Sequence, residues 1–247
     1  MTIPPQWQVP PQNRLLRALA PATLAQLLPT LAPVALRLKE TLITPDAPIR
    51  ALYFPLDAVV SVVGTLADGT QLEAGTIGNE GVVGVARFLR TTHMPFTAVA
   101  QVPGAALRLD AETFDQALGL VGSDFADLLA RYTQAWCNQL GWHAICNGVH
   151  PVVQRCARWL LQTQDRVGRA EFPLTQEFLA VMLGVRRPSV TEVAGRLQQA
   201  GLIRYQRGII RILDRAGLEA ASCECYHVIT QEANRLLGSP LTPCWAS

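Results

Sequence analysis

The sequence predicts an α+β protein with an antiparallel β-rich first half, a long central helix and a helical C-terminal region that carries a β-hairpin. Three observations support this fold class. Residues 51 to about 109 alternate short β-branched segments with Gly and Pro turns. Residues 122–147 place apolar side chains at steps of three and four. Residues 176–212 place two short helical segments before two strands in which apolar and basic residues alternate.

The composition is that of a folded protein. The chain has 247 residues, of which 49% are hydrophobic and 16% charged, with a net charge of +2. This length allows two domains with buried cores. No apolar run reaches the roughly 20 residues of a membrane span, and the N-terminus lacks the basic start and apolar stretch of a signal peptide. We therefore expect a cytoplasmic protein with no membrane partner.

The β-rich half contains two turn signals. Residues 67–70 (ADGT) separate LYFPLDAVVSVV from QLEAGTIG, and Pro103-Gly104 separates TAVAQV from AALRL. Strands flanking such turns predict two hairpins in a small antiparallel barrel or sandwich. In front of the barrel, residues 13–38 have helical spacing interrupted by prolines, which predicts short helices.

The long helix carries an apolar stripe with aromatic members. We expect this stripe to form a subunit interface, with packing against the barrel as the alternative. Another helix is expected over residues 151–163, followed by a surface loop over 166–169. The stripe consists of Phe125, Leu128, Leu129, Tyr132, Trp136 and Leu140.

Residues 175–201 have the features of a helix-turn-helix. Thr175 is a suitable N-cap for a first helix over Gln176–Leu183, and Gly184 supplies the turn residue that tolerates a positive φ. Ala180 provides the small side chain needed where the two helices cross, and Val190 is the apolar contact in the second helix. The segment LIRYQRGIIRILD that follows alternates as two strands about residues 206–208. Together these elements predict a winged helix-turn-helix.

Positive charge is concentrated in this region, because residues 186–211 contain six arginines and a single acid, Glu192. Arginine can bridge O6 and N7 of guanine in the major groove, and glutamate can accept from cytosine N4. We predict that Arg187 and Glu192 read bases from a recognition helix over 186–200; a salt bridge from Glu192 to Arg196 is the alternative for this acid. Arg204 and Arg207 in the wing are expected to contact phosphates. The complete predicted DNA-binding set is Arg186, Arg187, Ser189, Thr191, Glu192, Arg196, Arg204 and Arg207.

The segment LTQEFLAVMLGVRRPSVTEVAGRLQQAGLIRYQRGIIRILD resembles the C-terminal winged helix of the cyclic-AMP receptor protein and Fnr (Crp/Fnr) superfamily of bacterial transcription regulators. The β-rich half, closing in AETFDQAL and a long helix, resembles the effector domain and dimerisation helix of that superfamily. The resemblance covers roughly residues 13–215. It implies a homodimer on a palindromic site in double-stranded DNA, a jelly-roll sensor of the cyclic-nucleotide-binding type, and RNA polymerase as a candidate further partner. The corresponding domains are a sensor over 13–118, a dimerisation helix over 119–148, a DNA-binding domain over 149–215 and a helical tail over 216–247.

Two departures from the family pattern change what is expected. In the cyclic-AMP receptor branch of the superfamily, the recognition helix reads bases through an Arg-Glu pair and an arginine four residues beyond that Glu. The matching positions here are Arg187, Pro188 and Glu192, so we expect a different operator.

The second departure concerns the cyclic-phosphate site, where Phe96-Thr97 occupies the position of the family's Arg-Ser or Arg-Thr pair. Without that arginine, a buried phosphate would lack charge compensation. We therefore expect no cofactor and no classical cyclic-nucleotide binding. The candidate effector pocket consists of Glu80 as a ribose ligand, Arg87 and Arg90 as substitutes for the missing arginine, Phe96 and Thr97.

The six cysteines are too scattered for a disulfide scaffold and predict free thiols. Cys223-Glu224-Cys225, with His227 and Cys244, is the combination that could suggest a metal. Its C-x-C spacing does not match the pairs of structural zinc sites, so we expect no metal. We expect the two cysteines to lie as idle or buried thiols in a helix over Gly217–Thr230, with a redox sensor as the alternative.

No Ser/His/Asp grouping, phosphate loop or metal triad emerges from the sequence, which predicts a protein that is not an enzyme. The alternative to a DNA-binding regulator is a small-ligand or protein-binding module that uses the winged helix for protein contacts. The basic wing and the arginine pair argue for DNA.

Overall fold

In the computed structural model, which describes residues 12–120 and 123–238, the chain begins with α1 (Arg14–Arg17) and α2 (Pro21–Leu27). A 3₁₀ turn, Leu28–Thr30, completes this part and confirms the predicted short helices. The helical prediction for the remainder of residues 13–38 is wrong, because residues 32–36 form a strand. That strand pairs with residues 104–108, and this distant pairing decides its conformation.

The strands of the first half form two antiparallel sheets, which confirms the predicted jelly-roll-like architecture. The sheet orders are β1-β7-β3 and β2-β6-β4-β5. A 3₁₀ turn, Val85–Arg87, lies between β5 and β6. The strands are β1 (Ala32–Leu36), β2 (Thr41–Ile43), β3 (Ala51–Pro55), β4 (Val59–Thr65), β5 (Gln71–Ile77), β6 (Thr97–Val102) and β7 (Gly104–Asp110).

One of the two expected hairpins is correct. β4 and β5 pair directly around the turn at Gly69, which has a φ of 83°. The second is wrong, because β6 pairs with β2 and β4 whereas β7 pairs with β1 and β3. Pro103-Gly104 therefore carries the chain from one sheet to the other. A Cβ at Gly104 would lie 2.7 Å from the backbone nitrogen of Ala58, so this crossing requires glycine.

The long helix α4 (Ser123–Val149) follows α3 (Ala111–Leu120) and packs its apolar stripe against the barrel. Phe125, Leu128, Leu129 and Tyr132 are all 2% exposed or less, within one cluster that also contains the barrel strands β3 and β7. Trp136 reaches β5. The expectation that this stripe forms a subunit interface is therefore wrong, and the alternative of packing against the barrel is correct. The stripe covers an apolar sheet face of the same chain.

The C-terminal domain consists of three helices and a small sheet of order β8-β10-β9. The strand β8 was not expected from the sequence; it adds a third strand to the predicted hairpin. The core of this domain includes Trp159, Leu160, Phe172 and Leu197. The elements are α5 (Val152–Val167), β8 (Glu171–Pro173), α6 (Gln176–Leu183), α7 (Arg187–Gln199), β9 (Ile203–Gln206) and β10 (Ile209–Ile212).

Arg166 joins the C-terminal domain to the barrel. The prediction of a surface loop over 166–169 is wrong at its start, because Arg166 belongs to α5 and is 6% exposed. Its Nε donates to Oε1 of Glu80 across 3.0 Å, and its Nη2 donates to Oε1 of Gln139 on α4 across 3.0 Å. Its Nη1 donates to the hydroxyl of Thr76 on β5. One guanidinium thus connects the last turn of α5 to the barrel and to α4.

A second polar contact joins the same elements. Nε1 of Trp159 on α5 donates to Oε1 of Glu73 on β5 across 3.1 Å. Burial raises the pKa of the Glu73 carboxyl above its ordinary value. The two contacts fix the orientation of α5 relative to the barrel, and α5 in turn carries α6 and α7 on its apolar face.

The C-terminal tail forms two helices, α8 (Arg215–Ala220) and α9 (Cys225–Leu237). The single helix expected over Gly217–Thr230 is wrong, because the chain leaves helical geometry between these two helices. α9 runs back along α4: Cys225 lies beside Cys146, and Leu237 lies in the apolar cluster that includes Phe125. No helix within the described ranges is long and apolar enough to cross a membrane.

Removing either partner of the Arg166–Glu80 pair should destabilise the chain strongly. Arg166→Met and Glu80→Gln each leave a largely buried group without its charged partner, at a cost of about 3–5 kcal/mol in the free energy of unfolding. The double variant should recover part of that loss, as a double-mutant cycle by urea denaturation would show. Arg196→Met, which breaks the exposed Glu192–Arg196 pair, is the matched control and should cost less than about 1 kcal/mol. Equal costs at the two pairs would contradict the role of Arg166.

Candidate nucleic-acid interface

The helices α6 and α7 form the predicted helix-turn-helix. The Thr175 hydroxyl accepts from the backbone N–H of Phe178 and caps α6, as expected. Gly184 has a φ of 61° and ends α6, and the backbone N–H of Val185 donates back to the carbonyl of Ala180 across 3.1 Å. This closed turn sets the angle at which α7 leaves α6.

α7 presents one face to the core and the other to solvent. Its buried residues are Val190, Val193, Ala194 and Leu197, as the sequence predicts. The opposite face is polar and carries the predicted recognition residues. Arg186, Arg187, Thr191, Glu192 and Arg196 are exposed, and Ser189 is half-buried.

Glu192 pairs with Arg196 on the exposed face of α7. Nη2 of Arg196 lies 2.7 Å from Oε1 of Glu192, and both side chains are more than 60% exposed. This is the salt bridge considered as the alternative for Glu192. An exposed pair of this kind contributes at most about 1 kcal/mol, so both side chains can be redirected to a ligand at small cost.

The wing is held against α7 and carries a second group of arginines. Oε1 of Gln198 accepts from the backbone N–H of Tyr205 across 2.8 Å, which ties β9 to the recognition helix. Arg207 and Gly208 form the turn with φ values of 50° and 76°. Positive φ at both positions is the geometry of a tight two-residue hairpin.

Arg204 and Arg211 lie directly opposite each other in the β9–β10 pair, and both are exposed. Like charges at opposed positions destabilise a strand pair, so this arrangement favours an anion between or above them. Arg211 was not in the predicted set. The sequence could have predicted this position. The two strands of LIRYQRGIIRILD alternate about their turn, and this alternation places Arg211 opposite Arg204.

The structure shows where each candidate effector residue lies and what it contacts. Oε1 of Glu80 accepts from Arg166, whereas its Oε2 is buried and has no hydrogen-bond partner among the described residues. Arg87 forms an ion pair with Asp115 on α3, whereas Arg90 is exposed. The ring of Phe96 lies over Gly64 on β4, and Thr97 begins β6.

Two family models match the chain. A Crp-like helix-turn-helix domain matches residues 154–221, and a cyclic nucleotide-binding domain matches residues 33–119. Together they span more than half of the sequence in the order that the superfamily uses. The chain belongs to the Crp/Fnr superfamily. It is accordingly a DNA-binding transcription regulator.

Solved structures of Crp/Fnr proteins have the same fold. FixK2 from Bradyrhizobium japonicum aligns with a TM-score of 0.66 and 17% identity, over 78% of this chain and 98% of that one. A Crp-family transcriptional regulator from Thermus thermophilus aligns with a TM-score of 0.63 and 22% identity, over 76% and 96%. The c-di-GMP-responsive global regulator CLP from Xanthomonas campestris aligns with a TM-score of 0.60 and 16% identity, over 78% and 98%. A search of curated proteins gave no significant match.

This Crp/Fnr chain also assembles a cysteine–histidine cluster that sequence reasoning missed. Cys146, His150, Cys223 and Cys225 bring one ligand atom each to within 4.8 Å of one another. The Sγ atoms of Cys146 and Cys223 are 3.4 Å apart and share a hydrogen bond, which lowers the pKa of the Cys146 thiol. The expectation of no metal rested on the spacing of the C-x-C pair. The fold adds Cys146 from α4 and His150, which directly follows that helix. Cys244, considered with that pair, lies outside the described residues.

Proposed function

We propose that this Crp/Fnr regulator binds a specific, two-fold symmetric DNA site as a homodimer, with α7 in the major groove and the wing on the adjacent backbone. The observation that carries this proposal is the arginine surface. Within the described residues, the side chains of Arg186, Arg187, Arg204 and Arg207 are exposed and take part in no ion pair. Uncompensated positive charge on two adjoining rigid elements suits a polyanion.

The position of each side chain suggests its role. Arg187 is the first residue of α7, where the N-terminal part of a recognition helix meets base edges. Arg187 and Glu192 are therefore proposed to read bases. Arg186, Ser189, Thr191 and Arg196 contact either bases or phosphates. Arg204 and Arg207, with Arg211 added by the structure, contact phosphates.

A small-residue seam along α4 supports the homodimer. The seam recurs at alternating steps of four and three residues on the side of α4 that faces neither the barrel nor α9, and its members are exposed. Such a heptad pattern of small side chains allows two helices to approach closely. The seam consists of five small residues, Ala130, Cys137, Gly141, Ala144 and Gly148, and of Gln134 as its one longer side chain.

The sensor domain has no evident cyclic-phosphate ligand. Phe96 and Thr97 stand where the resemblance places the phosphate-binding pair, and Glu80 is paired with Arg166. We therefore infer that the barrel responds to something other than a classical cyclic nucleotide.

Arg187→Ala should remove sequence discrimination. The operator is first obtained by in vitro selection from random DNA with the wild-type protein, and affinities for operator and scrambled DNA are then compared by fluorescence anisotropy. Loss of one bidentate base contact should weaken operator binding by about 10- to 150-fold, with little change for scrambled DNA. Arg235→Ala removes an exposed arginine on α9 and is the charge-matched control. Unchanged operator selectivity in Arg187→Ala would refute the base-reading role.

Arg207→Ala should weaken binding to every sequence alike, because a phosphate contact carries no base information. The slope of log K against log salt should decrease in magnitude by about one unit. The same anisotropy assay at several salt concentrations measures both effects. A loss confined to the operator would assign Arg207 to base reading instead.

Gly141→Arg should convert the dimer to a monomer. A Cβ at Gly141 meets no atom within 4 Å in the protomer, so the substitution leaves the fold intact while blocking close approach of a second α4. Gly119→Arg on α3 is the matched control, since a Cβ there also meets nothing within 4 Å. Sedimentation equilibrium gives the oligomeric state. A dimer that survives Gly141→Arg would place the interface elsewhere.

A further inference from the structure

The cluster of Cys146, His150, Cys223 and Cys225 is the strongest unassigned group of side chains in the described structure. All four residues lie outside the two matched family domains, since the first two fall between residues 119 and 154 and the others follow residue 221. We propose that the cluster is a structural zinc site that fastens the C-terminal helix to the long helix.

Two of the distances between ligand atoms are close to those around one tetrahedral ion, and all four atoms lie within 4.8 Å of one another. Sγ of Cys146 and Sγ of Cys223 are 3.4 Å apart, and Sγ of Cys225 is 3.6 Å from Nδ1 of His150. A tetrahedral zinc with Zn–S bonds of about 2.3 Å and a Zn–N bond of about 2.0 Å has S···S edges of about 3.8 Å and S···N edges of about 3.5 Å. Small side-chain movements therefore suffice to hold the ion.

The chemistry of the donors selects zinc. Three cysteines and one histidine form a ligand set that structural zinc sites commonly use. The three cysteines are 3% exposed or less, and the side chain of His150 is 15% exposed. Four protein ligands in a closed site leave no position for substrate or water, so the role is structural and not catalytic.

The histidine is oriented by a second residue. Nε2 of His150 lies 3.2 Å from Oε2 of Glu224, which leaves Nδ1 directed towards the thiols. A carboxylate that accepts from the far nitrogen of a histidine is the usual support of a zinc ligand. Glu224 is the residue between Cys223 and Cys225, so the C-E-C sequence supplies two ligands and the support for a third.

Charge around the site is compensated. Three thiolates and a neutral histidine with Zn²⁺ carry a net charge of −1, and the positive charges of Arg155 and Arg158 act on Cys146. Nε of Arg155 also donates to the carbonyl of His150 across 3.2 Å. Its Nη1 donates to the carbonyl of Leu183, beside the turn of the helix-turn-helix, across 2.8 Å. The site therefore supports the base of the DNA-binding domain as well as the tail.

The test is zinc binding by the full-length protein under reducing conditions. After chelation and removal of metal, the wild-type chain should take up about one zinc ion in competition with a chromophoric chelator. Cobalt(II) should give the thiolate-to-metal charge-transfer and ligand-field bands of a tetrahedral, thiolate-rich site. Cys146→Ser and Cys225→Ser should lose tight binding, whereas Cys156→Ser, which changes a cysteine on α5 outside the cluster, should retain it.

Glu224→Gln keeps the proposal testable if the cysteine variants fail to fold, because the Glu224 side chain is 70% exposed. It should weaken zinc affinity by about 10- to 100-fold. Glu177→Gln, a similarly exposed glutamate on α6, should leave the affinity unchanged. The proposal would be overturned if the reduced wild-type chain bound zinc no more tightly than Cys225→Ser. It would also be overturned if the purified chain contained a Cys146–Cys223 disulfide and took up no metal once that disulfide was reduced.

Discussion

The guanidinium of Arg166 is the contact on which the arrangement of the two domains depends. Arginine presents five donors in a rigid fork, and here they engage a loop carboxylate, a strand hydroxyl and a helix amide at once. Gly78 makes this approach feasible, because a Cβ there would lie 2.6 Å from Cβ of Arg166. A buried charge of this kind is stable with its partners and costly without them, so separating Arg166 from Glu80 is strongly unfavourable.

This joint also explains how the chain differs from the pattern that it resembles. The resemblance assigns Glu80 to a ribose, whereas in this structure Glu80 binds Arg166 of the DNA-binding domain. Trp159 and Glu73 add a second link beside it, with the Glu73 carboxyl held in surroundings that raise its pKa. These contacts tie the barrel to α5, and α5 packs against α6 and α7 in the same apolar cluster.

The long helix has three distinct faces, two of which are covered by the rest of the chain. Its apolar stripe covers the barrel, a second face receives α9, and the third is the exposed seam of small residues. The proposed zinc site lies at the C-terminal end of this helix, where α9 begins. Contacts of Cys225 and Leu237 thus hold α9 against the rest of the chain at its two ends, and the seam stays exposed. The wing, by contrast, carries charges that have no ion-pair partner within the described part of the chain. Arg204 and Arg211 face each other across the strand pair, and a bound phosphate would offset the cost of this repulsion.

The sequence by itself determined the helix-turn-helix, its hairpin and the resemblance to the family. Thr175, Gly184 and the hairpin about Gly208 act within a few residues of the chain, through capping, positive φ and alternation, so their signals are readable without any distant contact. The exposed arginines of α7 follow from the same periodicity, because fixing Val190 and Leu197 inside fixes the opposite face outside. Tertiary structure alone decided which apolar stripe meets which sheet, why β6 and β7 do not pair, and why Arg166 is buried. It also brought Cys146 to Cys223, 77 residues apart in the sequence. The physical reason is that pairing, burial and ligand geometry depend on which distant segments share a surface, and local periodicity carries no information about that choice.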